Sequence, residues 1–168
     1  ASADYQQAVR WYRDYLAAFP SDAQAAQNNF LLAELLFEDA QFAPATIEYE
    51  KTAYAYPAHA ASADAGYAAL LSYAQQQKKA SGAELPALQQ AGVASALRFV
   101  QTFGSDARAA PVLADAAQTL YTLKDPQQAA TVAQQVLDLQ PPAPNAQRRV
   151  AWTVLAHTRF EAGAFDGA

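Results

Sequence analysis

One stretch of the sequence, residues 26–57, predicts two short helices joined by a tight turn, and its pattern recurs along the chain. Apolar residues in both halves are spaced three and four apart, as in amphipathic helices. The polar residues 38–41 between them are few, so the two helices fold back as an antiparallel pair. Ala33 and Ala45 are small where these helices are expected to cross, which lets their backbones approach closely. Pro57 ends the second helix, because its ring cannot continue the hydrogen-bond ladder.

Helix-ending residues recur at a fixed distance on both sides of this stretch. Pro57 follows Pro20 by 37 residues (57 − 20), and Pro141 follows Gly104 by the same distance (141 − 104). The interval from Pro57 to Gly104 is longer, at 47 residues (104 − 57). Its polar segment 75–86 contains Gly and Pro and is the natural place for a long inter-helix loop or an extra helical turn. A fixed period of this kind predicts a helical repeat array.

The repeated positions resemble the signature of the tetratricopeptide repeat, W-x2-L-G-x2-Y followed by A-x3-F and P. The residues that carry the resemblance in the central copy are Leu32, Ala33, Leu36, Ala45, Tyr49 and Pro57. Asn29 stands at the tryptophan position of that copy. The best single match lies near the end of the sequence, at Trp152, Leu155 and Ala156. The resemblance implies an all-α fold, an α-α superhelix of about eight antiparallel helices that begins and ends in the middle of a repeat.

The resemblance implies a single solenoid made of five segments. These are the second half of a repeat at 1–20, a repeat at 21–57, a divergent repeat at 58–104 with an inserted loop near 76–86, a repeat at 105–141 and a truncated repeat at 142–168. Apolar periodicity predicts helices at 4–19, 22–39, 42–56, 59–78, 85–103, 106–123, 126–139 and 145–162. The expected caps are Ser21, Ser105, Asp125 and Asn145. Leu70 stands where a small residue is expected, so the helix crossing in the divergent repeat is wider or shifted.

Composition and charge exclude several classes of function. The net charge of −5 and the isoelectric point near 4.8 argue against nucleic-acid binding, which needs a concentrated basic surface. The sequence has no apolar run long enough to cross a bilayer, so no membrane insertion is expected. The absence of cysteine excludes a disulfide framework and a thiolate metal site.

Two details of the repeat bear on cellular location. The period of 37 residues (57 − 20) is longer than the usual tetratricopeptide repeat, and the phrases AAFPSDAQA and AYPAHAASA accompany it. Together they resemble the bacterial envelope members of the family, of the Tol-system coordinator and outer-membrane assembly lipoprotein type. That likeness implies a periplasmic or cell-envelope location, with the cytoplasm as the alternative.

The sequence carries no recognisable catalytic or cofactor-binding motif. His59 and His157 are far apart, and neither belongs to an HExxH pattern or to a cluster at ligand spacing, so no metal site is expected. The glycines are isolated and none belongs to a phosphate-binding loop. No serine stands in a G-x-S-x-G elbow. We therefore expect no enzymatic activity, no cofactor and no metal.

The first helix of each pair is where a partner is expected to bind. In tetratricopeptide arrays these helices line the concave side, and the resemblance places there Phe30, Glu34, Phe37, Glu38, Asp64, Tyr67, Leu71, Gln118, Tyr121, His157, Phe160 and Glu161. Such aromatic residues can equally form helix–helix core, and such carboxylates a solvated face. Core packing is the preferred interpretation for Phe37 and Phe160. Tyr67 and Tyr121 are preferred for contact, since tyrosine tolerates a wet groove.

Two classes of function are compatible with this sequence. The first is a non-enzymatic scaffold in envelope assembly, whose concave face binds a protein or peptide segment with apolar anchors at Tyr67 and Tyr121 and a basic residue near Glu34 and Glu38. The second is a structural spacer in a longer array whose binding or catalytic function lies outside these residues. The half-repeats at both ends also predict self-association, through Val9, Tyr12 and Leu16 or through Trp152 and Leu155.

Overall fold

The protein is all-α over residues 3–163, which are the residues that the computed structural model describes. The helices are α1 (Ala3–Ala18), α2 (Ala25–Glu38), α3 (Phe42–Tyr54), α4 (Ser62–Lys79), α5 (Glu84–Thr102), α6 (Ala109–Thr122), α7 (Pro126–Asp138) and α8 (Asn145–Glu161). No strand occurs in this range, which confirms the predicted class. Each predicted helix is present, and the predicted and observed ends differ by about three residues at most.

The chain divides into two compact units, Ala1–Gly82 and Ala83–Ala168. In the first unit α2 packs against α1 and α3, and α3 packs against α4. In the second unit α6 packs against α5, α7 and α8, and α7 packs against α8. The short connections 39–41 and 123–125 make α2 with α3, and α6 with α7, antiparallel pairs. The boundary between the units lies inside the predicted divergent repeat 58–104, between its two helices.

Small residues lie where the paired helices meet. Ala33 of α2 and Ala45 of α3 are fully buried, and so are Ala117 of α6 and Ala129 of α7. Protein interiors are packed as densely as organic crystals, so a larger side chain at these positions has no room without displacing its neighbours. The burial of the two alanines of the central pair agrees with the predicted close approach, and the second unit repeats it.

Helix α4 buries only small residues in the core of the first unit. Leu70, which the repeat pattern places at the crossing, is only half-buried, whereas Ala65, Ala69 and Ser72 are fully buried. At the 37-residue spacing (57 − 20), Ser62, Gly66 and Ala69 correspond to the buried residues Ala25, Asn29 and Leu32 of α2, and only Ser72 lies one position before the equivalent of Leu36. Small residues rather than Leu70 therefore lie in the core of the first unit.

The extra residues of the divergent repeat lengthen two helices and do not form a long loop. Helices α4 and α5 have 18 and 19 residues, against 14 and 13 in α2 and α3. Only residues 80–83 connect them, so the helices are extended, as in the alternative of an extra helical turn, and the long loop expected near 76–86 is not present. Glutamine and lysine are good helix formers, so the polar run continues α4 without an apolar stripe. Gln76 also donates from Nε2 to Thr46 Oγ1 of α3 at 2.9 Å.

Helices α2, α4 and α6 each begin about three residues later than predicted, because a capped turn precedes them. In each turn a side chain accepts a hydrogen bond from the backbone N–H two residues further on, as in an Asx turn. The acceptors are Oδ1 of Asp22, Nδ1 of His59 and Oδ1 of Asp106, at 2.7, 3.2 and 2.8 Å from the backbone nitrogens of Gln24, Ala61 and Arg108. The side chain three residues before each helix therefore forms the turn that precedes α2, α4 and α6.

Of the predicted caps, Asp125 is confirmed, since it accepts a hydrogen bond from the Gln128 N–H at 3.0 Å. No side chain caps the N-terminus of α2, α6 or α8, so the caps predicted at Ser21, Ser105 and Asn145 are wrong. An aspartate directly follows each of the two serines. Because a carboxylate is a stronger acceptor than a hydroxyl, the aspartates take this role in the preceding turns.

Candidate partner-binding surfaces

Three of the predicted site residues on α2 surround the side chain of Tyr49 on α3. The ring centroid of Tyr49 lies 5.9 Å from that of Phe30 and 6.3 Å from that of Phe37. The Tyr49 hydroxyl donates a hydrogen bond to Oε1 of Glu34, and Tyr49 is only 2% exposed. Phe37 also contacts the ring of Phe42 edge-on, at 5.2 Å between centroids, and is half-buried, which agrees with the helix–helix role preferred for it. These contacts hold α2 and α3 together.

The Tyr49 hydroxyl is held in its protonated form. Burial raises the pKa of Tyr49 above its ordinary value, and the hydrogen bond to Glu34 raises that pKa further. A phenol that keeps its proton remains a hydrogen-bond donor, so one lone pair of Glu34 stays engaged inside the helix pair. Glu34, which is half-buried, therefore offers less of its carboxylate to a partner than the sequence indicated.

Glu38 lies where α1 meets α2 and also accepts a hydrogen bond from a tyrosine. The Tyr5 hydroxyl of α1 donates to Oε2 of Glu38 at 2.8 Å. This hydrogen bond raises the pKa of Tyr5, so its hydroxyl remains a donor. Glu38 is exposed, and a carboxylate can accept several hydrogen bonds at once. Of the two α2 carboxylates predicted to bind a basic group, Glu38 is the more accessible.

On α4 the predicted site residues form one stripe. Asp64, Tyr67 and Leu71 are spaced three and four residues apart, which places them on the same side of the helix. Asp64 is exposed in the first helical turn, Tyr67 is half-buried and Leu71 is 44% exposed. The stripe therefore combines an apolar centre with one carboxylate, and it can receive an apolar side chain and a cationic group.

In the second unit, three predicted site residues come together where α6 meets α8. The Tyr121 hydroxyl of α6 donates to Oε1 of Glu161 on α8 at 2.8 Å. The centroid of the Tyr121 ring lies 5.6 Å from that of His157, and 6.0 Å from Nζ of Lys124. We refer to Tyr121, Lys124, His157 and Glu161 as the Tyr121 cluster. Gln118 is exposed one helical turn before Tyr121 and extends this surface along α6.

The Tyr121 cluster presents both aromatic surface and charge. His157 and Glu161 are exposed, and Tyr121 is half-buried. The hydrogen bond to Glu161 raises the pKa of Tyr121 and keeps its hydroxyl a donor. Glu161 has lone pairs left after accepting that bond, so it can also receive an ammonium or guanidinium group. The neighbouring rings can stack on an apolar or guanidinium group.

Phe160 is 67% exposed, so the core role preferred for it is wrong. Its equivalent in α2 is Phe37, which contacts two rings of α3. No helix follows α8 within residues 3–163, so no second helix covers Phe160 in this part of the chain. Phe37, which has the second helix α3 beside it, is half-buried.

The residues predicted for self-association are not all at the surface. Val9 and Leu16 of α1 are 6% and 8% exposed, and Leu155 of α8 is 4% exposed, so these three are core residues. The apolar stripe of α1 packs against α2, which the sequence analysis did not anticipate. Trp152 is 54% exposed, as the prediction requires, and Trp11 is a further exposed aromatic residue at 64%.

The sequence analysis missed three residues that contact the predicted site. A signal was available for Tyr49, because it follows Ala45 by one helical turn and so lies on the side of α3 that meets α2. Lys124 follows Tyr121 by three residues, which is also within local reach. Tyr5 is separated from Glu38 by 33 residues, and no local pattern links positions so far apart.

Sequence comparison does not assign this chain to a family, since no protein-family model matches it and no curated protein matches its sequence. The resemblance to tetratricopeptide repeats therefore rests on the repeated residues and on the helix pairs. Within residues 3–163, no three His, Cys, Asp or Glu side chains gather closely enough to hold a metal ion. No helix in the same range has both the length and the hydropathy that crossing a bilayer requires.

Proposed function

We propose that the chain is a tetratricopeptide-type scaffold that binds a segment of a partner protein on the exposed sides of its first helices, without catalysis. The observation that carries this proposal is the Tyr121 cluster, in which two helices present an aromatic ring, an imidazole and a carboxylate together at the surface. Side chains with an apolar body and a polar tip are typical of protein-binding surfaces. The helix pairs and their buried alanines support the family part of the proposal.

The partner segment that fits these surfaces is extended or helical and carries one apolar and one basic side chain. At the Tyr121 cluster the apolar group packs on the two rings, and the basic group pairs with Glu161. On α4 the corresponding contacts are Tyr67 and Leu71 for the apolar group and Asp64 for the basic one. The net charge of −5 steers a basic partner toward the chain. Each unit thus offers a site of its own.

The proposal extends to a role in bacterial envelope assembly, in the periplasm or at the cell envelope. It is supported by the period of 37 residues (57 − 20) and by the phrases AAFPSDAQA and AYPAHAASA. A chain without cysteine is compatible with an oxidising or a reducing compartment, so the cytoplasm is the alternative. Immunoblotting of periplasmic and cytoplasmic fractions of the native organism distinguishes the two locations.

The binding proposal is tested with surface variants that keep the fold. Tyr121→Ala removes the ring, and we expect affinity for the partner to fall roughly 30-fold, equivalent to about 2 kcal/mol. Tyr121→Phe keeps the ring and removes only the hydrogen bond to Glu161, so we expect a smaller loss. Ile47→Ala is the matched control, because Ile47 is a large apolar residue, 66% exposed, on the second helix α3. Partners are captured from extracts of the native organism, and their affinities are measured by isothermal titration calorimetry.

A structural spacer in a longer array is the second candidate function, and the exposed aromatic residues of α8 favour it. In that case the chain needs no site of its own, and Trp152 and Phe160 are covered by a further helix. A Tyr67→Ala, Tyr121→Ala double variant that captures the same proteins with unchanged affinity would reject the first-helix surfaces. Absence of any specific capture by the wild-type chain would favour the spacer.

A further inference from the structure

One side of α8 presents large aromatic residues to solvent. Trp152 and Phe160 are 54% and 67% exposed, and Arg149 and Ala156 are also exposed. The four residues are spaced three or four apart and form one stripe, which we refer to as the outer face of α8. The opposite side of the helix is buried through Ala151, Val154, Leu155 and Thr158. Two large aromatic side chains on either side of an alanine form an apolar patch of the kind that marks interaction sites.

The same positions in α2 are covered by a second helix. Aligned on the repeat signature, the residues equivalent to Trp152, Ala156 and Phe160 are Asn29, Ala33 and Phe37. In α2 the first two are fully buried and the third is half-buried, because α3 packs against this side. The outer face of α8 is therefore the side of a first helix that receives a second helix.

The turn at the end of α8 has the geometry that leads from a first helix into a second. One residue in each such turn has a positive φ: Ala40 at 57°, Lys124 at 63° and Gly163 at 70°. The N–H of each donates to a carbonyl three residues earlier, that of Phe37, Tyr121 and Phe160, at 2.9, 3.1 and 3.0 Å. In the first two cases the chain then enters α3 or α7. Helix α8 thus ends as a first helix ends.

Helix α1 has the pattern of a second helix, and no first helix precedes it within residues 3–163. The residues of α3 that lie 37 positions (42 − 5) after Tyr5, Ala8 and Tyr12 of α1 are Phe42, Ala45 and Tyr49. Helix α1 packs against α2 just as α3 packs against α4. That is the contact of a second helix with the next first helix. The side of α1 that carries Tyr5, Ala8 and Tyr12 corresponds to the side of α3 that meets the first helix α2.

We propose that the outer face of α8 binds α1 of a second copy of this chain, and that the two helices form an antiparallel pair like α2 with α3. In this orientation Asp4 near the start of α1 and Arg159 near the end of α8 come to the same end of the pair. The facing residues, taken from the contacts of α2 with α3, are Ala8 with Ala156, Tyr12 with His157, and Tyr5 with Phe160.

The contact joins two different surfaces, so its assembly does not stop at two copies. A copy that binds a neighbour through α8 still has its α1 available for another neighbour. Heterologous contacts of this kind build rings when the rotation closes and open chains when it does not. We therefore expect species larger than dimers at high concentration.

Sedimentation velocity from micromolar to near-millimolar concentration tests this association. We expect the average mass of the wild-type chain to rise with concentration. Ala156→Glu places a carboxylate at an alanine–alanine crossing, and we expect it to weaken association at least about tenfold. Ala94→Glu introduces the same change at an exposed alanine of α5 and is expected to associate like the wild type. Circular dichroism verifies that each variant is folded.

A mixing experiment tests which surfaces meet. The Ala156→Glu variant has an altered α8 surface and an intact α1 surface. The Ala8→Glu variant has an altered α1 surface and an intact α8 surface. We expect each variant alone to remain monomeric, and their mixture to form one-to-one dimers that do not grow. A wild-type chain that stays monomeric at every concentration overturns the proposal. An Ala156→Glu variant that associates like the wild type, or a mixture that forms no dimer, also overturns it.

A disulfide trap provides a readout that does not depend on the folding of Ala8→Glu. The chain contains no cysteine, so introduced cysteines report only on their own contacts. Ala8→Cys combined with Ala156→Cys is expected to give a ladder of linked copies on mild oxidation. Ala8→Cys combined with Ala94→Cys is the control and should give only the random background. Equal ladders from both pairs contradict the proposed contact.

Discussion

A buried asparagine links α2 to α3 at the place where the repeat signature has tryptophan. Asn29 is fully buried, and its Nδ2 donates to the Glu48 carbonyl at 2.8 Å and to Thr52 Oγ1 at 2.9 Å. Tryptophan at this position contributes apolar area, whereas asparagine joins the helices by hydrogen bonds that are protected from water. The central pair therefore has a polar contact where the family resemblance predicts a hydrophobic one.

Replacing Asn29 tests the contribution of this contact. Asn29→Ala removes both hydrogen bonds and leaves a cavity, so we expect the free energy of unfolding to fall by about 1–3 kcal/mol. Urea denaturation followed by circular dichroism measures the change. Gln27→Ala, at an exposed position of the same helix, is the control and should change stability by less than about 0.5 kcal/mol. Equal effects of the two variants would show that Asn29 contributes no more than a surface residue.

Tyr49 makes the stability of the chain sensitive to alkali. Its pKa is raised in the folded state, first by burial and then by Glu34, so above the ordinary value of 10.0 the unfolded chain releases a proton that the folded chain keeps. The contribution of Tyr49 to the free energy of unfolding is fully present below pH 10. It is lost as the pH rises further, by about 1.4 kcal/mol per pH unit for one proton. We expect the unfolding free energy of the wild type to fall more between pH 9 and 11 than that of Tyr49→Phe. Parallel declines in the two proteins contradict this role for Tyr49.

At the scale of the helix, the sequence predicts the positions of the helices, which depend on neighbouring residues. It misses the contacts that depend on how the helices pack. Each helix was predicted because amphipathic spacing is a property of neighbouring residues. The helix predicted at 59–78 reaches Lys79, although the run 75–79 lacks an apolar stripe and was also the expected place for a loop or an extra helical turn. Its glutamines and lysines favour a helix, and Gln76 bonds Thr46 of α3. The Tyr121 to Glu161 hydrogen bond joins residues 40 positions apart, and only the packing of α6 against α8 creates it.

The entry to α6 provides a test at this scale, because the predicted cap and the observed one are adjacent. Asp106 accepts the Arg108 N–H at 2.8 Å and pairs with the Arg108 guanidinium, which lowers the pKa of Asp106. We expect Asp106→Ala to lower the unfolding free energy by about 1 kcal/mol and Ser105→Ala to leave it nearly unchanged. The difference in unfolding free energy between the wild type and Asp106→Ala should be present at pH values above 3.8, the ordinary pKa of Asp106. It should decrease as the pH falls below that value. Thermal unfolding at pH 7 and pH 3 measures both effects, and a larger effect of Ser105→Ala contradicts the assignment.

At the scale of the whole molecule, the chain consists of two units joined through residues 80–83. Each unit contains four of the described helices and has a core of its own. The sequence predicted one solenoid with either a long loop or an extra helical turn in its divergent repeat. Loop length could not be predicted, because the number of extra residues does not reveal whether they extend a helix or interrupt it.

Limited proteolysis tests the junction. The connecting residues 81–83 are exposed and lie outside the helices, so a protease of broad specificity should cut there first and leave two fragments of similar size. Residues 75–79 lie in α4 and should be spared at early times. Mass spectrometry of the first fragments locates the cut. An initial cut within 75–79 contradicts the helical assignment of that run.

The reverse turns that end α2, α6 and α8 share a backbone conformation without sharing a residue type. Ala40, Lys124 and Gly163 all have positive φ, although such a conformation costs a residue other than glycine about 1 kcal/mol. In the complete pairs, packing of the two helices outweighs that local cost. The turn position that usually holds glycine can therefore hold alanine or lysine, as it does at Ala40 and Lys124. A search for the glycine that usually ends such a helix would miss two of these three turns.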